Sequence, residues 1–398
     1  MKINELGAVI TGKTPSTKNR DNWGEDVCFY APEDIAKGFL LTDAERHISN
    51  IGYDSIKNNT VTQGISILVG CIGSDMGNVA LVEGKNAFNQ QINAITNIIS
   101  EVNPYYVYYY LSTQKDYLRQ LAGSTATPIL PKSDFGEINM PCFDKETQDA
   151  IVSILQPIDK LIANNNAICS DLESMAKLLY DYWFVQFDFP DVNGKPYKSS
   201  GGKMVWNEEL NREIPDGWEV KMLPDVSDLQ YGYPLNTDKF GERGQGVIRI
   251  RDIIDNTLSA YTTEVVSDNY LTCAGDLLVG MDGNFQMNYW IRDNDIVNQR
   301  ITRIRKVDFP VMLIKMQIEP YVVSKITKVA RSTVGHLGDS DFKEQPILIS
   351  KGLDLMFFDT VLSQIILTRI ENQQLTELRD FLLPMLMNGQ VRVGKGGE

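Results

Sequence analysis

The sequence predicts an α+β chain made of two mixed α/β units, each followed by its own long helix. Three observations carry this. Between Glu146 and Phe184 the apolar residues Ile151, Ile154, Leu155, Ile158, Leu161, Ile162, Ile168, Leu172, Met175, Leu179 and Tyr182 recur mostly at steps of three and four, the spacing of one helix face. A second run from Leu353 to Met387 repeats the pattern with Phe358, Leu362, Ile365, Leu375, Leu378, Leu382 and Met385. Upstream of each run the same short motifs recur in the same order. Leu68-Val69-Gly70 matches Leu278-Val279-Gly280, Asn89-Gln90 matches Asn298-Gln299, Ser124-Thr125 matches Ser332-Thr333, and Ser133-Asp134-Phe135 matches Ser340-Asp341-Phe342. Their offsets of 210, 209, 208 and 207 drift slowly, as a duplication with small loop indels would leave them.

Taken in order, residues 1–143 alternate short apolar runs with turn residues. Val27 to Tyr30, Ile65 to Val69, Asn78 to Val82 and Ile92 to Ile95 read as strands separated by Gly, Asn and Asp. Pro104 to Leu121, rich in tyrosine, reads as a helix with proline near its first turn. After the first long helix, residues 187–218 contain prolines, glycines and adjacent serines that break any periodicity, the composition of a connector. The strand pattern resumes with Gly246 to Ile250, Asp276 to Gly280 and Val297 to Ile304. Pro157 and Pro384 fall inside the long helical patterns and are expected to kink or bound them.

Composition narrows the function classes. With 398 residues, 43% of them hydrophobic, the chain can bury two ordinary cores. No apolar run approaches the roughly 18 residues that span a bilayer, and MKINELGAVITGK has no signal-peptide core, so no membrane and a cytoplasmic location are expected. The five cysteines are dispersed without Cys-x-x-Cys spacing, which favours reduced thiols over a disulfide framework. The two histidines, His47 and His336, sit in no metal-ligand spacing, and no metal site is expected. A net charge of −14 weighs against a nucleic-acid binder. Much of that acidity, however, falls on residues 144–235, outside the two globular units.

Catalytic signals are weak. No Gly-x-Ser-x-Gly occurs. Asn103-Pro104-Tyr105-Tyr106 is similar to the loop with which amino-methyltransferases hold an adenine, yet no Gly-rich cofactor loop precedes it, and a tyrosine-rich helix start accounts for it as well. Binding signals are stronger. Lys13, Thr14, Ser16 and Lys18 lie on a Gly/Pro-constrained loop, suited to hydrogen bonding phosphate oxygens and base edges. Asn89-Gln90-Gln91 and Asn298-Gln299-Arg300 recur in the two units; amides of this kind read adenine bidentately or satisfy backbone groups in a turn. Arg249 and Arg251, like Arg303 and Arg305, are expected to share a strand face with Arg300 nearby. Such pairs fork onto guanine or phosphate, or else form a solvated face balanced by acids. On the first reading, Arg249 and Arg303 bind DNA without supporting the fold.

The order of a Gly-x-Thr-Pro-Ser loop (Gly12 to Ser16), an Asn-Gln segment (Asn89-Gln90), a Leu-Pro-x-x-Asp-Phe stretch (Leu130 to Phe135) and a long helix (Leu172 to Phe184), then the same plan ending in Leu375 to Gly389, resembles the specificity subunit of type I restriction-modification enzymes. The segment from Asn165 to Trp218, with YDYWFVQFDFP and IPDGW, resembles the central region of one branch of that family. The resemblance implies two target-recognition domains in pseudo-twofold arrangement, separated by an antiparallel pair of long helices forming a coiled coil. It divides the chain into a first recognition domain at 1–143, a spacer helix at 144–186, a connector at 187–218, a second recognition domain at 219–346, a second spacer helix at 347–388 and a flexible tail at 389–398. It implies a non-catalytic subunit that binds double-stranded DNA and assembles with two modification subunits and with restriction subunits. S-adenosylmethionine, ATP and Mg would belong to those partners, with no cofactor here. A helix of about 35 residues is on the order of 50 Å long, which suits a ruler between two readers. Leu172, Met175, Leu179, Tyr182, Trp183, Leu375, Leu378 and Leu382 are expected to pair the helices or to dock partners. The rival expectation is an interaction scaffold that uses the same helices without binding DNA.

Overall fold

The computed structural model describes residues 1–61, 63–123, 128–329 and 335–390, which divide into two compact units. The first comprises residues 1–164 and the stretch from Gln374; the second comprises residues 165–373. The expected match of Ser124-Thr125 with Ser332-Thr333, and the tail beyond residue 390, lie outside the described residues.

In the first unit, strands β1 (Ala8–Thr11), β2 (Trp23–Tyr30), β3 (Leu40–Leu41), β4 (His47–Ile48), β5 (Ile65–Gly70), β6 (Val79–Glu83), β7 (Ala87–Phe88) and β8 (Ile92–Thr96) form two sheets. Their orders are β1-β8-β5-β6-β3 and β4-β2-β7. In β5 the side chains of Ile67 and Val69 enter one apolar cluster, with Leu81, Ile95 and the helical Tyr106 and Val107. Leu68 between them enters another, with Tyr30, Phe88, Ile92 and Ala94. The period of two thus serves two cores, and β5 is apolar on both faces because both are covered.

The second unit repeats this plan. Strands β9 (Met204–Asn207) and β10 (Arg212–Pro215) form a hairpin, and β11 (Glu219–Met222) pairs with the late strand β20 (Pro346–Ile349). The main sheets are built from β12 (Ser227–Tyr231), β13 (Phe240–Gly241), β14 (Gln245–Ile248), β15 (Ala260–Thr262), β16 (Leu277–Gly280), β17 (Met287–Tyr289), β18 (Ile296–Val297) and β19 (Ile301–Lys306). Their orders are β12-β19-β16-β17 and β13-β15-β14-β18. The order β12-β19-β16-β17 reproduces β1-β8-β5-β6, and β14 runs parallel to β18 as β2 runs parallel to β7. Phe135 on the short helix Lys132–Gly136 and Phe342 on Asp339–Lys343 are both buried, so the matched Ser-Asp-Phe motifs occupy equivalent places. The duplication read from short motifs is a duplication of topology.

The helical expectations need adjustment. The tyrosine-rich segment forms two helices, Pro104–Ser112 and Lys115–Leu121, capped at the start by the Asn103 side chain, which accepts from Tyr105 N–H at 2.9 Å. The first long helix runs from Lys145 to Tyr180 and widens into a π-helical turn at Asp181–Val185; the second runs from Met356 to Met387. Pro157 and Pro384 bound neither helix, since both lie inside the continuous spans. The second helix, expected from residue 347, starts at Met356, where Asp354 accepts from its N–H at 2.9 Å; Pro346–Ile349 instead pairs as β20.

Within each unit the two helices run antiparallel. In the first, Arg379 Nη1 donates to Asp159 Oδ1 at 2.9 Å, and Tyr109 donates to the other Asp159 oxygen at 2.7 Å. In the second, Asn165 donates to Glu371 at 2.9 Å and Arg369 to Glu173 at 2.7 Å, so the numbers on one helix rise as those on the other fall.

Residues 187–218 are more than a connector. Besides the β9-β10 hairpin they carry an aromatic cluster in which Trp218 meets Phe184 at 5.1 Å, Phe187 at 5.7 Å and Phe189 at 4.9 Å between ring centroids. Phe187 holds a φ of +66°, a left-handed conformation that costs a non-glycine residue about 1 kcal/mol and is offset here by ring burial.

Candidate nucleic-acid interface

Two glycines set equivalent loops against equivalent turns. A Cβ on Gly12 would lie 2.2 Å from the Asn89 carbonyl oxygen, and one on Gly232 would lie 2.0 Å from that of Asn298. Only glycine allows such an approach. The backbone bonds match as well. Gly12 and Lys13 N–H donate to Ile92 and Phe88 at 3.0 and 2.9 Å; Gly232 and Tyr233 N–H donate to Ile301 and Val297 at 2.9 and 2.8 Å. Each unit therefore zips a loop onto its Asn-Gln turn.

In the first unit this brings Lys13, Thr14 and Gln90 together, with the Thr14 hydroxyl donating to Gln90 Oε1 at 2.7 Å. Lys13, Ser16, Lys18 and Gln90 are exposed, available to a polar partner. Asn89 is not. It is buried, its Oδ1 accepts from Gln91 N–H at 2.9 Å, and its Nδ2 donates to Gln91 Oε1 at 3.1 Å. The expectation that Asn89 and Gln91 read a base is corrected, because these amides satisfy the turn that holds the loop.

In the second unit the corresponding place is an arginine-lined cavity of about 390 Å³. Arg249, Ile250, Arg251, Asn298, Arg300 and Ile301 line it, and no carboxylate does. Arg249 and Arg251 do not alternate along a strand as expected, since β14 ends at Ile248 and Ile250–Asp252 is a 3-10 turn. The turn itself converges them. Asp252 accepts from Arg249 N–H at 2.8 Å and from the Ser259 hydroxyl at 2.9 Å, and Ser259 in turn accepts from Arg251 Nε at 3.2 Å. The Arg249 guanidinium stacks 5.2 Å above the Phe240 ring, which orients it without neutralising it. Exposed Arg300 lies 3.5 Å from Asp282, whose other oxygen is shared with His336 at 2.7 Å. Exposed Gln299 donates its N–H to Asn298 Oδ1 at 2.8 Å.

Arg303 is withdrawn from this surface. It is 1% exposed, its Nη2 donates to Asp228 at 2.8 Å, and Nη1 lies 3.9 Å from Asp276. It does share a face with Arg305, as the strand period requires, but that face is covered. Arg305 forks onto both Asp276 oxygens at 2.8 Å. The expectation that Arg303 touches DNA without supporting the fold is corrected, because a buried guanidinium between carboxylates is part of the core. Asp276, the first residue of the sequence run Asp276 to Gly280, was the readable signal of that pair.

The helix residues divide similarly. Leu172, Leu179 and Trp183 pack partly buried on the second unit's core, as Leu382 does on the first unit's, and Leu375 is half-buried. Met175, Tyr182 and Leu378 are exposed, so none belongs to a helix-pairing seam. The buried positions on these helices include Asn165, Cys169, Ala176 and Ile365 in one unit, and Ile151, Leu155, Leu383 and Leu386 in the other. Asn103, the apparent adenine loop, donates to Asp149 at 2.6 Å and its N–H to Gln148 at 2.8 Å, contacts that tie a helix cap to its neighbour. No described helix is long and apolar enough to cross a membrane.

Comparison with known proteins agrees with the duplicated plan. Residues 1–174 match the family model described as type I restriction modification DNA specificity domain. The chain is 26% identical over 420 residues to the type I restriction enzyme MjaIX specificity subunit of Methanocaldococcus jannaschii, covering 98% of this chain and 93% of that one. It is 25% identical to the HindI specificity subunit of Haemophilus influenzae, over 64% of this chain and 69% of that one. Among solved structures, a type I restriction-modification S subunit from M. genitalium shares the fold with a TM-score of 0.52 at 14% identity, covering 97% of this chain and 95% of the other. The resemblance read from the sequence is borne out.

Proposed function

With its first 174 residues matching a type I DNA specificity domain and its whole length similar to type I specificity subunits, we propose that this chain reads a split DNA target, one half per unit, for a type I restriction-modification complex. The observation that carries the proposal is the equivalence of the two loop-and-turn sites. The same glycine contact and the same backbone bonds hold a loop on the Asn-Gln turn in each unit. At that turn lie Lys13, Thr14 and Gln90 in the first, and in the second Asn298 and Arg300 share a carboxylate-free cavity with Arg249 and Arg251, which the neighbouring 3-10 turn brings there. Both sets combine phosphate-neutralising cations with amides able to meet base edges. Exposed lysines lie on the first loop and three arginines line the second cavity, although the chain carries −14 overall.

Methylation and cleavage then belong to partner subunits, which bring S-adenosylmethionine, ATP and Mg. Partner docking is supported by the apolar side chains that the long helices leave exposed: Met175, Leu178, Tyr182 and Leu367 in the second unit, and Leu378 and Phe381 in the first. The same residues favour a second reading, a scaffold that binds proteins alone. Sequencing of N6-methyladenine in host DNA, with and without the gene, separates the two. Deletion is expected to abolish methylation at one two-part motif, and exchanging residues 1–143 for those of a relative is expected to change one half only. Unchanged methylation in an otherwise active system would leave the scaffold.

A further inference from the structure

Cys28, Asp43 and His47 lie in the first unit, and the target-reading proposal uses none of them. Cys28 is on β2 and His47 on the paired strand β4, directly opposite each other in the antiparallel register. The intervening chain leaves the sheet and returns so that Asp43 meets them. His47 Nε2 lies 3.0 Å from Asp43 Oδ1 and 3.6 Å from Cys28 Sγ, and Sγ lies 4.0 Å from Asp43 Oδ1. The three candidate donor atoms fall within 4.8 Å of one another, the one such group of three among the described residues.

We propose that these residues form a mononuclear zinc site, with Cys28 Sγ, His47 Nε2 and Asp43 as protein ligands and a water in the fourth position. The spacing fits. Zn–S near 2.3 Å and Zn–N or Zn–O near 2.0 Å at tetrahedral angles put neighbouring ligand atoms about 3.4 to 3.6 Å apart. The observed 3.0, 3.6 and 4.0 Å bracket that value, so one ion needs shifts of about half an ångström. The donor set selects the metal class, because a thiolate with an imidazole suits Zn²⁺ and not Mg²⁺ or Ca²⁺. The ring's other nitrogen, Nδ1, lies 3.8 Å from Glu25, the kind of carboxylate that holds Nδ1–H outside a metal site and leaves Nε2 free to ligate. Cys28 and His47 are partly sheltered by the sheet while Asp43 is exposed, so the ion enters from solvent and the fourth position faces water. Binding releases the thiol proton and staples residues 28 and 47 and the loop between them.

The test uses the untagged full-length chain, stripped of metal and titrated with Co²⁺ and then with Zn²⁺. One equivalent of Co²⁺ is expected to give a thiolate-to-cobalt charge-transfer absorption that one equivalent of Zn²⁺ erases. Cys28→Ser should abolish the band, while Cys273→Ser, at an exposed thiol elsewhere, should retain it. Asp43→Asn, which keeps an oxygen to accept from the Ala44 N–H, should weaken Zn²⁺ binding by ~10-fold or more. Zinc should also raise the melting temperature of the wild type and not that of Cys28→Ser. Absence of the band, or a band lost in Cys273→Ser and kept in Cys28→Ser, overturns the proposal. So does unchanged zinc affinity in Asp43→Asn.

Discussion

At the scale of single residues, arginines that look alike in sequence have opposite roles. Arg303→Ala leaves Asp276 in the core with one guanidinium fewer and removes the partner of Asp228, a loss of about 3 kcal/mol that urea unfolding would register. Arg251→Ala, exposed at the cavity, should leave the urea midpoint unchanged and weaken target-DNA binding by about tenfold, in proportion to one lost base or phosphate contact. The period of two correctly assigned Arg303 and Arg305 to one face but gave no sign that the face is covered, because burial on both sides is a property of the second layer. Buried phenols give a pH signature. Tyr106 is pushed up to about 12 by burial, and Tyr109 is raised by burial and then by the Asp159 charge beside it. A group whose pKa rises on folding contributes fully below its ordinary value near ~10 and loses that contribution as pH climbs through the folded value. Melting temperatures should therefore hold steady from pH 7 to about 9.5 and fall steeply above ~10.5. Tyr106→Phe, keeping the ring without the phenol, should shrink that alkaline fall.

At the scale of elements, the long helices and the core strands were legible because their periods are local. Spacing of three and four located the first helix to within a residue or two of Lys145, and the apolar run Ile65 to Val69 was β5. The periodic run from Leu353 came within three residues of the second helix's start, whereas the division at 347 took in Pro346–Ile349, an aliphatic run that reads as helix or strand and is settled by β11, more than a hundred residues upstream. The β9-β10 hairpin escaped for a related reason: its prolines and glycines are turn signals, while its order comes from rings gathered on Trp218. Helix faces were less readable than helix spans. Leu155→Ala, at a fully buried position, should cost about 2 to 4 kcal/mol, whereas Leu178→Ala, 71% exposed, should cost under ~0.5 kcal/mol and reduce copurification of a modification subunit. Thermal melts and pull-downs on the same two variants separate packing from docking. The candidate site was half legible: the sequence placed Lys13, Thr14 and Gln90 on a loop and a turn, and the structure brings these together, while the cation cluster of the second unit depends on a 3-10 turn that no period announces.

At the scale of the molecule, two small positive sites work against a strongly acidic whole. DNA affinity should fall steeply with salt, with a log–log slope set by the few phosphates neutralised, and Arg249→Ala should flatten that slope by about one. A fluorescence titration from low to physiological salt measures both. The composition of the first unit bears on how the chain comes into being. That unit draws on residues 1–164 and on the stretch from Gln374, so Leu383, Leu386 and Met387 complete a core whose other members were joined far earlier. A chain ending at Gln373 should keep hydrogen-exchange protection in residues 165–373 and lose it around Ile151, Leu155 and the Tyr109–Asp159 bond, which Arg379 no longer supports. During synthesis the first unit therefore stays open, its core missing Leu383, Leu386 and Met387, until the second unit has been made. A message cut short before Gln374 yields a chain whose leading unit lacks part of its core.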